Sequence, residues 1–184
     1  MNCAFCPHHK CYTSGQNCTR LTHEEISEYY TDEDKKMMRA SSATESRNYL
    51  KMTRLEESVF FAKEMGVKKV GIAFCIGLAN EAHFCAQYFK NEGLDVQSVC
   101  CKVCSVDKDL LELEKIKPGQ REAMCNPKVQ ARLLNEGGTE LNFILLGRFI
   151  HVTGAVSWEF WKKALYKKIF FYESLSLMRQ TFLL

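Results

Sequence analysis

Between residues 45 and 146 the apolar positions follow two rhythms that alternate along the chain. Met52, Leu55, Val59 and Ala62 recur at steps of three and four, which is the spacing of one helix face. They predict a helix from about Glu45 to Met65, stopped by Gly66. Val67–Cys75 (VKKVGIAFC) then reads as a buried strand, and Asn80–Asn91 as a second helix ended by Gly93. Leu94–Val103 (LDVQSVCCKV) is a second strand, followed by a polar stretch with a turn at Lys117-Pro118-Gly119. Asn126-Pro127 suits an N-cap and first helical position, opening a helix to about Asn135 that Gly137-Gly138 closes. Leu141–Leu146 (LNFILL) is a third strand.

Helix and strand alternating at these intervals predict an α/β domain of three layers, with a mainly parallel sheet and helices on both faces. In such sheets, sites form at the carboxyl ends of the strands. The chain ahead of this unit behaves differently. Residues 1–20 hold Cys, His, Gly, Ser and Thr and almost no aliphatic side chain, so they cannot form a core alone. Residues 21–44 are polar. Thr22 with Glu25 makes a capping box for a short helix, and Ala40-Ser41-Ser42-Ala43-Thr44 reads as a loop or a helix start. The expected division is a Cys-rich segment at 1–20, an α/β domain at 21–147 and a tail at 148–184.

With 46% hydrophobic residues in 184, the domain has enough apolar material for a core without disulfides. No secretory signal and no apolar run long enough to span a membrane is visible. A reducing cytoplasm is therefore expected, where clustered cysteines favour metal over bridges. The net charge of +3 arises in the tail, which carries 6 basic against 2 acidic residues; residues 1–147 carry 19 against 20. The body thus offers no electrostatic footprint for nucleic acid.

Ten cysteines change the picture. Cys3, Cys6, Cys11 and Cys18 are spaced C-x2-C-x4-C-x6-C. Four thiolates complete a tetrahedral shell and suit zinc or an iron–sulfur cluster. The spacing matches no standard ferredoxin run. His8 and His9 lie within the cluster but are not needed as ligands.

On the predicted frame, Cys75 ends the first strand, Cys100, Cys101 and Cys104 end the second, and Cys125 precedes the third helix. These five map to one sheet edge, where a second thiol site, for metal or for redox chemistry, is expected. Neighbours on a strand face opposite ways, so Cys100 and Cys101 cannot both belong to it. Each has equally a packing reading, and mid-helix Cys85 reads simply as a small core residue. Familiar enzyme patterns are absent. No arginine follows Cys75 to cradle a phosphate, and no Walker or dinucleotide glycine pattern occurs.

The chain resembles DUF1847, a prokaryotic family of cysteine-rich, metal-binding proteins with no assigned reaction. The resemblance is carried by Cys-Ala-x-Cys at 3–6 with Cys11 and Cys18, and by Lys-Lys-Val-Gly-Ile-Ala-Phe-Cys-Ile-Gly-Leu-Ala-Asn-Glu-Ala at 68–82. Ser-Val-Cys-Cys-Lys-Val at 98–103, Ile-Lys-Pro-Gly at 116–119 and Glu-Ala-Met-Cys-Asn-Pro at 122–127 complete it. It implies metal binding, and it places Cys75, Cys101 and Cys125 within motifs. At Cys104 the resemblance leads one to expect glycine.

After the third strand, the resemblance implies a Cys-Val-Gly-His-Asp motif, and this chain reads Leu-Gly-Arg-Phe-Ile-His-Val-Thr-Gly instead. The tail holds 9 of the 21 aromatic residues and both tryptophans. It is read as the product of a shifted reading frame. Its alternative is a basic amphipathic helix through Trp158, Trp161, Leu165, Ile169 and Tyr172.

Three classes stay open at this level. The leading one is a metal-binding protein with a zinc or iron–sulfur site at the N-terminus. The others are a thiol- or cluster-dependent redox enzyme using Cys75 and Cys125 with an electron donor, and a zinc-stabilised module for a protein partner.

Overall fold

The structure, a computed structural model, describes residues 1–146 and 169–173. Its centre is a parallel sheet of β1 (Lys69–Phe74), β2 (Asp95–Cys100) and β3 (Leu141–Leu146) in the order β2-β1-β3. A fourth strand, β4 (Ile169–Glu173), pairs in parallel with β3 at the outer edge. Side chains on β1 alternate between two apolar layers, as the twofold period of a strand requires. Val70 and Ile72 join Leu141, Phe143 and Leu145 of β3 on one face, whereas Ala73 joins Val99 and Ile144 on the other.

The helices take one face each. α3 (Asp32–Asn48), α4 (Arg54–Glu64) and α5 (Ala79–Asn91) bring Ala40, Leu55, Val59, Phe61, Ala82 and Phe89 to the first layer. α6 (Pro127–Glu136) brings Ala131 and Leu134 to the second. The expected three-layer α/β fold is therefore present. Phe61, Ile72, Leu134, Leu141, Phe143 and Ile144 are fully buried, each worth about 1.5–3 kcal/mol of apolar transfer. Phe89 and Phe143 lock the first layer with ring centroids 4.9 Å apart.

The expected long helix over Glu45–Met65 is two helices. α3 begins upstream at Asp32, capped by Thr31 and Asp34, and passes through Ala40–Thr44 without a loop. It ends at Asn48, and Leu50 adopts φ +55 before Thr53 and Glu56 form a fresh capping box for α4. The apolar period of α4 continues into Met52 by chance of spacing, while the Thr53 cap restarts the backbone. The helix expected from the Thr22–Glu25 box is α2 (His23–Glu28). At α6, Pro127 is the first helical residue as expected, but the Asn126 side chain makes no cap.

Most of the tail, with the shifted-frame and amphipathic-helix readings attached to it, lies outside the described residues. Where it is described, Ile169 and Tyr172 belong to a strand rather than a helix. The run Ile-Phe-Phe-Tyr suits a strand and meets the open backbone edge of β3.

One glycine is dictated by packing. A Cβ on Gly71 would overlap the Asn142 amide oxygen and come within 3.0 Å of Leu134, both fully buried. Gly71→Ala is therefore expected to cost about 1–3 kcal/mol, read as a lower midpoint in urea unfolding. An unchanged midpoint would show that α6 moves aside freely.

Cys85 is a core residue, as expected, at 5% exposure on α5. Burial, with a smaller effect of the Glu81 carboxylate, pushes its thiol up from 9.0 to about 11. The folded chain keeps this proton where the unfolded chain releases it. Stability is thus full below about pH 9 and declines as pH rises toward about 11. Urea titrations at about pH 8 and about pH 10.5 are expected to differ by about 1–2 kcal/mol through this thiol. In Cys85→Ala the decline should shrink; an equal decline would assign it to other groups.

Candidate functional site

The sheet edge gathers its thiols through backbone geometry. The chain leaves β1 toward β2 and returns past β1 to β3, so the topology reverses beside the end of β1, where open α/β sheets form their sites. The Phe74 carbonyl accepts the Cys101 N–H at 2.8 Å and the buried Gln130 amide of α6 at 3.2 Å. Gln130 also donates to the Val99 carbonyl at 2.8 Å, so one side chain ties together the carboxyl ends of β1 and β2. The Cys75 N–H donates to the Leu145 carbonyl at 3.0 Å, which fixes the same point to β3.

Cys101 stands at the middle of this edge. It is 7% exposed, and its sulfur accepts the Ile76 N–H at 3.3 Å, in the turn that follows Cys75. Its thiol hydrogen-bonds to the Cys125 sulfur. That bond, followed by burial and the neighbouring Cys125 and Cys75 sulfurs, holds the Cys101 proton well above the ordinary thiol range.

Cys125 is exposed, and the Lys102 ammonium donates to its sulfur at 3.6 Å and to the Ala123 carbonyl at 2.7 Å. The Asn126 N–H donates to the Cys101 carbonyl at 2.7 Å, so the two cysteine segments are joined by backbone as well as by sulfur. Asn126 thus serves as a strut to Cys101, and its N–H is drawn into that bond while its side chain makes no cap. Cys75 is half-buried at the β1 end of the group. The expected trio Cys75, Cys101 and Cys125 is brought to one edge, with the direct sulfur contact between Cys101 and Cys125.

Cys100 lies apart, its sulfur accepting the Lys102 N–H at 3.4 Å. Lys102 and Gln130 are site residues that the sequence reading missed. Lys102 stood in plain view next to Cys101. Its reach back to Cys125 depends on the loop that returns from residue 107 to Ala123, which no local pattern encodes.

That loop is held by charge. Lys115 pairs with Asp107 and Asp109, Lys108 with Glu122 at 2.7 Å, and Asp107 bridges to Ala123. The Asp109 N–H, and after it the Lys115 ammonium, hold the Asp107 carboxyl well below the usual range. Arg121 reaches the Ser105 carbonyl at 2.6 Å. Cys104 and Ser105 both adopt left-handed backbone, φ +66 and +50. This is a conformation that glycine accepts and a β-carbon resists. It accounts physically for the glycine expected at Cys104, whose own side chain is exposed.

At the N-terminus, Cys3 opens a short turn over Cys3–Phe5, Cys6 follows it, Cys11 lies in α1 (Lys10–Thr13) and Cys18 in the loop beyond. Cys3, Cys11 and Cys18 are exposed and Cys6 is half-buried. The Cys6 sulfur accepts the backbone N–H groups of His8 and His9, which lowers its thiol below the ordinary range. Among the described residues, no three His, Cys, Asp or Glu side chains are gathered as a bound ion would require.

A parallel α/β sheet with a buried thiol at its topological reversal defines the class: a cysteine-centred α/β protein. The sequence pattern described as "Protein of unknown function (DUF1847)" matches residues 13–150, and the chain belongs to that family. The match includes Cys18, Cys75, Cys101 and Cys125 and begins after Cys3, Cys6 and Cys11. The chain is similar to the "Uncharacterized protein MJ0455" of Methanocaldococcus jannaschii, 48% identical over 146 residues, which cover 79% of this chain and 75% of that protein. No solved structure matches the chain. Among the described residues, no helix is long and apolar enough to cross a membrane.

Replacing Cys104 with glycine is expected to stabilise the fold by about 0.5–1 kcal/mol, since it relieves the left-handed strain at no loss of packing. A higher urea midpoint for Cys104→Gly checks this; a lower one would show that the exposed thiol has a partner role.

Proposed function

We propose that the chain is a metal-binding protein in which Cys3, Cys6, Cys11 and Cys18 supply thiolates to one soft metal centre, zinc or an iron–sulfur cluster. The observation that supports this most directly is the Cys6 sulfur. It sits in a turn whose His8 and His9 N–H groups both point at it and favour its charged form, the form that binds metal. Within residues 1–25, Cys6 is the one side chain that is not exposed. Cysteine is ordinarily among the most buried residue types, so packing gives no reason for four of them here. With no core to order it, such a segment gains structure by drawing its thiols onto an ion.

The donor set fits the group. Four thiolates close a zinc shell and would organise the segment, or they would hold a cluster that exchanges single electrons. The first role leaves a structured surface for a protein partner; the second calls for an electron donor. Either needs thiols kept reduced, which agrees with a cytoplasmic setting.

Full-length protein purified without oxygen is expected to carry zinc or iron in elemental analysis, with visible absorption if a cluster is bound. Cys6→Ser should lose that metal while its α/β domain unfolds at an unchanged midpoint. Full metal content in Cys6→Ser, or metal lost only when Cys75 is replaced, would overturn the N-terminal assignment.

A further inference from the structure

The contact between Cys101 and Cys125 lies outside the N-terminal segment and has a chemistry of its own. One sulfur is buried and holds its proton; the other is exposed and faces an ammonium group. This asymmetry is what a two-step dithiol exchange requires. The attacking sulfur needs access and negative charge, and the second needs protection from solvent and a position beside the first.

We propose that Cys101 and Cys125 are a redox-active dithiol that reduces low-molecular-weight disulfides, with Cys125 as the attacking sulfur and Cys101 as the resolving one.

In the first step the Cys125 thiolate attacks one sulfur of a disulfide RSSR. The S–S bond breaks, RS⁻ departs and takes a proton from solvent, and Cys125 is left as a mixed disulfide with R. In the second step Cys101 gives its proton to solvent and attacks the Cys125 sulfur. The Cys125–SR bond breaks, the second RS⁻ leaves and is protonated, and a Cys101–Cys125 disulfide remains. Two electrons pass from the two protein thiols to RSSR, which becomes two RSH.

The surrounding residues have defined parts in this. Lys102 is anchored by the Ala123 carbonyl at 2.7 Å, so its ammonium is held at the Cys125 sulfur. In the monoanion, charge therefore rests on Cys125 and the proton on Cys101, consistent with the raised Cys101 thiol. The Ile76 N–H at 3.3 Å steadies charge on Cys101 once its proton leaves in the second step. The bond from the Asn126 N–H to the Cys101 carbonyl keeps the two segments together while the mixed disulfide forms. Cys75, whose sulfur also acts on the Cys101 thiol, and exposed Cys104, three residues beyond it, are the competing thiols. The structure thus pairs Cys125 with Cys101, in place of the Cys75–Cys125 redox reading of the sequence.

The test uses the full chain, reduced and freed of reductant, and bis(2-hydroxyethyl) disulfide as the probe, followed by acid quench and peptide mapping. The wild type is expected to yield a Cys101–Cys125 crosslink. Cys101→Ala should stop at the mixed disulfide on Cys125, and Cys125→Ser should show neither crosslink nor adduct at Cys101. Lys102→Met should slow the attack about threefold to tenfold, and Lys102→Arg should restore it.

A crosslink joining Cys101 to Cys75 or to Cys104, or no crosslink at residue 101 in the wild type, would overturn the proposal without any variant. So would a Cys101→Ala protein that folds by circular dichroism yet forms no adduct at Cys125. Mapping reads the sulfurs at 101 and 125 directly, so the result stands apart from the fate of the N-terminal metal.

Discussion

The carbonyl of Phe74 is the point on which the rest of the edge depends. It accepts both the Cys101 N–H and the Gln130 amide. A buried carbonyl has two acceptor positions and is costly to leave unpaired. By filling both, the chain sets β2 against β1 one residue beyond the sheet and seats the start of α6 over both strand ends. Cys75 follows Phe74 directly, Cys101 is its hydrogen-bond partner, and Cys125 precedes the helix that Gln130 belongs to. Three thiols from three separate parts of the sequence are brought to one edge around this shared backbone oxygen.

The two cysteine groups differ in what orders them. At the sheet edge, strands and helix α6 hold the thiols, which take opposite characters from their surroundings: a buried proton on Cys101 and an ammonium at Cys125. At the N-terminus the thiols precede any core, and local hydrogen bonds hold the turn around Cys6. A rigid scaffold suits chemistry between fixed sulfurs, whereas a segment without a core suits a ligand that folds it.

Local signals along the chain were legible where one physical cause acted alone. Strand β3 runs over the residues that its apolar run marked, and the Thr22–Glu25 box opens α2. The division of α3 from α4 was hidden because the apolar steps from Met52 to Ala62 run across it, while the decisive signal was the Thr53–Glu56 cap. Asn126 shows the opposite failure. Its type and its proline neighbour suit an N-cap, yet its side chain caps nothing and its N–H is taken by Cys101, a partner 25 residues earlier in the chain. The glycine expected at 104 found its reason in a positive φ that cysteine adopts under strain.

The alternation of helix and strand, the parallel sheet, and the placing of Cys75, Cys100, Cys101, Cys104 and Cys125 near its carboxyl edge were all legible in the sequence. All of these follow from the period of apolar residues and the directionality of crossovers. Which sulfurs touch, and which charge faces them, depends on packing between distant segments. Lys102 meets Cys125 because the loop from 107 folds back to Ala123 through Lys108, Lys115 and their carboxylates. Cys101 keeps its proton because it is hydrogen-bonded to Cys125 and, after that, because it is buried. Those are distances between residues far apart in sequence, and they exist only once the layers have packed.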